Sequence, residues 1–421
     1  MTAPNPSVRR RTTFSLLLAA GGVTTACGFG RSRQQSAAVA PAGANAEGQS
    51  STPPRPPLDT RLQVSTAGWK TDFSKHTVSL SEIISGGPGK DGIPPLDRPA
   101  FEPVAQASAW LRDQEPVIAL DIGSEPRAYP LQILIWHEIV NDVVGSVPVT
   151  VTFCPLCNTA IVFDRRLDGT VHDFGVSGNL RHSDLIMWDR QTESWWQQAT
   201  GEAIVGELAG KTLTMLPASI ISWKEFRTTW PGGAVLSRDT GHRRAYGQNP
   251  YVGYDEVGKP PFLFRGPTDG RLPPMERVLL VDVPHQTGTA YAVYPFSLLS
   301  ARRVLHDTVA GQPLVAFWAP GTASALDRGT IATSRDVGAA AAFVPELVET
   351  HGAAPTDTLT FAPKEDDPGH FRDEQTGSTW SVTGQTIAGA LQGQRLRPLV
   401  SGSHFWFAAA AFRPEAELRL G

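Results

Sequence analysis

Cysteine is scarce: the chain has three in 421 residues, and two of them share one four-residue motif. A disulfide framework is thereby excluded, and a body of this length needs none to bury a core. Charge is sparse too, at 19% of residues, whereas glycine and proline reach 40 and 35. This composition excludes a coiled coil or long-helix bundle and favours a turn-rich, β-leaning globule. The net charge of −4 becomes more negative once residues 1–26 are set aside, because they hold Arg9, Arg10 and Arg11 and no acid. Nucleic-acid binding has no electrostatic footprint here. Several standard sites are also missing. No His-Glu-x-x-His occurs, no paired-carboxylate motif stands out, and Gly86-Gly87-Pro88-Gly89-Lys90-Asp91 lacks the Walker spacing and its Ser or Thr. Gly175-Val176-Ser177-Gly178-Asn179 lacks the last glycine of a nucleophile elbow. A single Cys-x-x-Cys cannot form a Cys₄ zinc ribbon within one chain.

The N-terminus accounts for one cysteine. Arg9 to Arg11 precede an apolar run from Phe14 to Ala26 that ends in small residues before Cys27. That is the layout of an export signal, and the run is too short to span a bilayer. Thr24-Thr25-Ala26-Cys27 resembles a bacterial lipobox, so the expectation is a signal peptide over 1–26 and a lipid on Cys27. The paired arginines before Thr12-Thr13-Phe14 also resemble a twin-arginine signal, so export runs by the Sec or the twin-arginine route. Residues 27–60, rich in Ser, Ala, Pro and Gly, read as a flexible tether holding a soluble body outside the cytoplasmic membrane.

The body reads as two homologous lobes, 61–250 and 260–421, from an internal duplication. Ala128-Tyr129-Pro130, Asp142, Gly145, Pro148 and Cys154-Pro155 are matched by Val293-Tyr294-Pro295, Asp307, Gly311, Pro313 and Ala319-Pro320. A second block, including Asp189, Thr192, Ser194, Trp196, Gly206 and Leu213, is matched by Asp373, Thr376, Ser378, Trp380, Gly389 and Leu396. Two blocks in the same order indicate repeated units. Within the first lobe, Pro130 suits the start of a helix, and Leu131, Leu134, Ile135 and Ile139 keep helical spacing through Asn141. Val147 to Phe153 and Ala160 to Asp164 read as strands joined by a turn over Cys154 to Asn158, and Asp168-Gly169 is a hairpin-type turn. The expected fold class is α+β to mainly β, with largely antiparallel sheet.

Residues found in only one lobe are the better candidates for chemistry. Cys154 and Cys157 stand against Ala319 and Thr322, His137 stands against Arg302, and the stretch His182 to Met187 has no clear counterpart. Trp188, Trp195 and Trp196 are candidate pocket walls, though Trp196 is repeated as Trp380, and Arg238, Arg243 and Arg244 form a candidate anion-binding loop.

Six segments occur together in order: Ser85 to Pro94, Trp136 to Asp142, Phe153 to Cys157, Phe174 to Asn179, Asp189 to Trp196, and Arg238 to Gly241. In these the chain resembles the bacterial and archaeal family known as domain of unknown function 3179, closely over about 80–260 and weakly beyond. The family name brings no activity. Some of its members are described as selenoproteins, and that resemblance implies redox chemistry near the Cys-x-x-Cys position.

Three readings of Cys154 and Cys157 follow. The first is extracytoplasmic thiol redox activity, a possible thiol-disulfide oxidoreductase, with His182 or His137 as modulator and nearby positive charge lowering a thiol pKa. The second is a non-enzymatic copper or zinc binding or delivery protein in which His137, His182 and Met187 add ligands to Cys154 and Cys157. The third is a binding protein with a structural disulfide, although so short a loop contributes only about 2 kcal/mol. The partners expected are the membrane, through the lipid, and a redox or metal partner protein.

Overall fold

The computed structural model describes residues 58–348 and 358–421. The expected signal peptide, Cys27 and nearly all of the expected tether lie outside the described residues. Residues 56–421 form one compact unit. Five α-helices occur among the described residues, none longer than seven residues, with two short 3-10 helices, and the rest of the regular structure is sheet. Strand pairing is antiparallel except where Ala234–Leu236 and Glu417–Leu418 join their sheets in parallel.

The first half builds three sheets. Pro116–Ile122 and Glu125–Pro130 pair at the centre of one, flanked by Ser219–Ser222 and Ala234–Leu236. Ile139–Val144, Val147–Cys154 and Thr159–Asp164 form consecutive antiparallel strands of the second. Phe174–Arg181, Asp184–Asp189, Trp195–Gln197 and Glu202–Val205 follow one another in the third. The second half runs through the same element order: Arg277–His285 and Gly288–Pro295 pair, helix Phe296–Arg302 follows, then Val304–Val309, Gln312–Ala319 and Ala339–Leu347.

Sequence expectation and fold agree over strands 147–154 and 159–164, where β-branched and aromatic residues dominate. Thr150 and Thr152, opposite Val149 and Val151, are fully buried as well, so this strand is covered on both faces. Asp168 and Gly169 both take positive φ between two short strands, as a tight hairpin requires.

The helix is shorter than its spacing suggests. It spans Leu131–His137, and Ile139 to Asn141 are strand, not helix. Glu138 takes φ 59°, its N–H still bonds to the Leu134 carbonyl, and its own carbonyl accepts from Phe153 at 2.8 Å, so the chain turns directly into the sheet.

The core crosses the midpoint of the sequence. The largest apolar cluster contains Val151, Cys154, Cys157 and Phe163 together with Phe405, Phe407 and Phe412. A second cluster joins Val117 and Phe226 to Phe317, Phe343 and Trp380.

Candidate functional site

Cys154 ends its strand and Cys157 sits in the turn that follows, which Asn158 closes at φ 50°. Three contacts fix this turn. The Asn158 side-chain amide donates to Ser403 Oγ at 2.9 Å, the Phe405 N–H donates to the Cys157 carbonyl at 2.9 Å, and the Tyr254 hydroxyl donates to the Leu156 carbonyl at 2.9 Å. Cys154 and Cys157 are 2% and 0% exposed, and both are free thiols.

The hairpin of strands 174–181 and 184–189 faces them. Its two-residue turn is His182-Ser183, with φ 50° and 67°. Such a turn ordinarily takes Asn-Gly, because side chains disfavour positive φ, so the conformation is held by its surroundings. One restraint is the Ser183 hydroxyl, which donates to the Phe262 carbonyl at 2.5 Å. The turn aims the Ser183 carbonyl at the sulfurs, 3.5 Å from Cys157 Sγ and 3.8 Å from Cys154 Sγ. It also brings in Asp184. The two sulfurs and one Asp184 carboxylate oxygen lie within 4.8 Å of one another, the only such ligand group among the described residues. Asp184 Oδ2 accepts from Gln197 Nε2 at 2.6 Å and from the Ala199 N–H at 2.9 Å, whereas buried Oδ1 has no hydrogen-bond partner.

Burial dominates the electrostatics. It pushes both thiols above their ordinary range, Cys157 furthest, and the Asp184 carboxyl adds to the effect on each. Asp184 itself rises to about 6 through burial, opposed by the hydrogen bonds it accepts. Glu138 rises to about 8, from burial first and then the Asp184 charge. The positive charge expected to activate a thiolate is absent from this balance; the neighbours acting on the thiols are acids.

The expected histidines do not join the sulfurs. His137 Nδ1 lies 2.7 Å from the Pro94 carbonyl and Nε2 lies 2.6 Å from the Tyr246 hydroxyl. A carbonyl only accepts, so the hydrogen-bond network assigns the proton to Nδ1, and Tyr246 donates to Nε2. Both ring nitrogens are used, and burial lowers the pKa of His137 to about 4. Tyr246 is linked in turn to Thr240 at 2.5 Å, so His137 ties loop 238–246 to the helix. His182 contributes its backbone to the strained turn, while its Nε2 lies 3.3 Å from Glu82 Oε2 and its ring packs near Phe264 and Phe412. Met187 is fully buried on strand 184–189, in the apolar cluster that also holds both cysteines.

Trp196 is a core residue, and Trp188 has Lys90 Nζ 3.9 Å above its ring. Arg238 bonds to Gln132 and stacks over Trp110.

Sequence reasoning missed Asp184, Glu138 and the Ser183 carbonyl as parts of the site. One signal was available for Asp184: it belongs to the stretch with no counterpart in the second half. Two thiolates and a carboxylate suit a borderline divalent ion such as zinc, with the Ser183 carbonyl as a neighbouring oxygen. A copper(I) site completed by His or Met finds no histidine nitrogen in the group.

No helix among the described residues is long and apolar enough to cross a membrane. The family described as "Protein of unknown function (DUF3179)" matches residues 90–416, and the chain belongs to that family. No curated protein and no solved structure matches.

Proposed function

We propose that Cys154, Cys157 and Asp184 form a divalent-metal centre of the zinc class in an exported, lipid-anchored protein. The observation that carries this reading is the convergence of two free thiols and a half-unpartnered carboxylate in a fully buried place. Without an ion, burial keeps protons on the two thiols. A divalent cation replaces the protons and makes the same burial favourable, so binding releases protons and stabilises the fold. The test is elemental analysis of reduced protein after dialysis, together with zinc titration against a chromophoric chelator. About one ion per chain is expected, and none in Cys154→Ser, Cys157→Ser. Metal-free wild type that takes up no zinc under reducing conditions would sink the proposal.

A thiol redox role is a second reading, favoured by the closeness of the Asp184 carboxylate to both sulfurs. In exchange with a partner disulfide, that carboxylate holds the proton of the attacking thiol until it passes to the leaving sulfur. The protein pair becomes a disulfide and the partner becomes two thiols. A measured reduction potential below about −300 mV would instead mark a structural clip.

The two halves are read as copies of one lobe, with chemistry kept in the first. Supporting this, Tyr129 donates to Asp142 at 2.7 Å as Tyr294 does to Asp307 at 2.8 Å. Trp196 and Trp380 donate to Asp189 and Asp373 at 2.9 Å each. Membrane attachment rests on Cys27; intact-mass analysis of the membrane fraction should find a diacylglyceryl adduct there, and an unmodified cysteine would remove the anchor.

A further inference from the structure

A broad concavity lies away from the cysteines, where the two halves meet. Strand 219–222 packs against strand 339–347, and two adjoining hollows of about 640 and 340 Å³ open there. Each is of the size that takes a small molecule, and both are lined by Asp121, Trp230, Gln385 and Arg395. Asp121 Oδ2 accepts from Arg395 Nη1 at 3.0 Å. Asp121 Oδ1 is buried with no partner, although the side chain is only 14% exposed. Oδ1 lies beneath the wall with almost no exposed surface, so the pair meets the hollow chiefly through Arg395, whose side chain is 39% exposed.

The chemistry of the walls narrows what the hollow can hold. Asp121 and Arg395 already neutralise each other, so a phosphate or other strong anion finds no surplus cation on this pair. Gln385 offers both a donor and an acceptor, and Trp230 offers an indole surface beside Phe343 and Leu396. Carboxylate, guanidinium and amide groups around an aromatic ring suit a neutral, hydroxyl-rich ligand with an apolar C–H face.

The opposite junction is the internal contrast. There strand 400–405 packs against strand 159–164. Asp282 is the sixth residue of its strand, as Asp121 is of strand 116–122, and Arg413 follows helix Trp406–Phe412 as Trp230 follows helix Trp223–Thr229. With Arg413 and His404 in the lining, only about 30 Å³ remains, room for about two waters.

From this geometry we infer that the Asp121–Trp230 cleft binds a neutral saccharide. The inference is independent of the metal reading. Isothermal titration and tryptophan fluorescence with cellotetraose, maltotetraose and chitotetraose provide the test, using the full mature chain. At least one should bind in the micromolar to millimolar range. Trp230→Ala should weaken that binding at least tenfold and Gln385→Ala severalfold, while zinc uptake stays unchanged. If Trp230→Ala fails to fold, Gln385→Ala and Asp121→Asn carry the comparison. Absence of binding by all three probes at millimolar concentration overturns the inference, as does binding that survives the substitutions in folded protein.

Discussion

The turn after helix 131–137 and the turn after helix 296–302 have the same backbone and opposite chemistry. Glu138 and Arg303 take φ 59° and 62°, each donates to the carbonyl four residues back, and each accepts from the strand beyond, Phe153 and Trp318. In the first half the side chain is a buried acid whose charge reaches Cys154. In the second it is a guanidinium bonded to the carbonyls of Pro368 and His370. Positive φ at this position therefore belongs to the way a helix enters the sheet. The His182-Ser183 turn is different, because among the described residues it has no counterpart in the second half. Strain shared by both halves is scaffold, and strain peculiar to one marks the candidate site.

Substitutions in both halves probe that contrast. The largest effects should come from the shared scaffold. Asp189→Ala and Asp373→Ala each leave a buried indole N–H unpartnered and release a Thr-x-Ser turn. Each should cost about 3 kcal/mol or more by chemical denaturation. Sharply unequal losses would break the equivalence of the halves. Next, Cys157→Ala should abolish metal binding yet change the stability of metal-free protein by less than about 1.5 kcal/mol. Installing the pair in the second half, Ala319→Cys with Thr322→Cys, should create no site, because the carboxylate beside that turn, Asp336, is already held by the N–H groups of Gly321, Thr322 and Gly338; zinc uptake rising to two per chain would refute that.

A further prediction concerns pH. His404 is held at about 3 by burial, with Arg413 adding to the shift. Facing groups include Thr159, whose hydroxyl lies 2.9 Å from Nδ1, and the Asp282 and Arg413 side chains that share its cavity. Between about 6.5 and about 3 the unfolded chain binds a proton that the folded chain refuses, so this group makes stability fall with falling pH, by up to about 1.4 kcal/mol per unit. His404 pairs with Val278 as Ile221 pairs with Val117. His404→Ile should remove this part of the acid-side slope, and an unchanged slope would show that His404 does not set it. The smallest effect is expected from glycine at the shared turn. Glu138→Gly relieves positive φ and a buried carboxyl, and should stabilise by about 1 kcal/mol; Arg303→Gly should gain less, because it loses the bonds to Pro368 and His370.

Much of this architecture is legible in the residues. Strands 147–154 and 159–164, their Cys-x-x-Cys turn and the Asp168-Gly169 hairpin follow from β-branched runs and turn chemistry. The helix end is not, because Ile139 continues the apolar spacing and Glu138 carries no glycine or asparagine signal for its φ. The His182-Ser183 turn is hidden for the same reason, and with it the approach of Asp184 to the sulfurs. His137 is drawn away by Tyr246, 109 residues later in the chain. No local pattern encodes such a pairing, so the motif shows two ligands while tertiary folding supplies the third.

The cysteine turn is fastened by Ser403 and Phe405, close to the C-terminus. On a chain made from its N-terminus, the two thiols exist for most of synthesis without the strand that covers them. Until Ser403 and Phe405 dock, an ion or oxidant meets these sulfurs less covered than they are in the finished fold. Timing during biogenesis then adds to affinity in the finished fold in setting what these sulfurs carry.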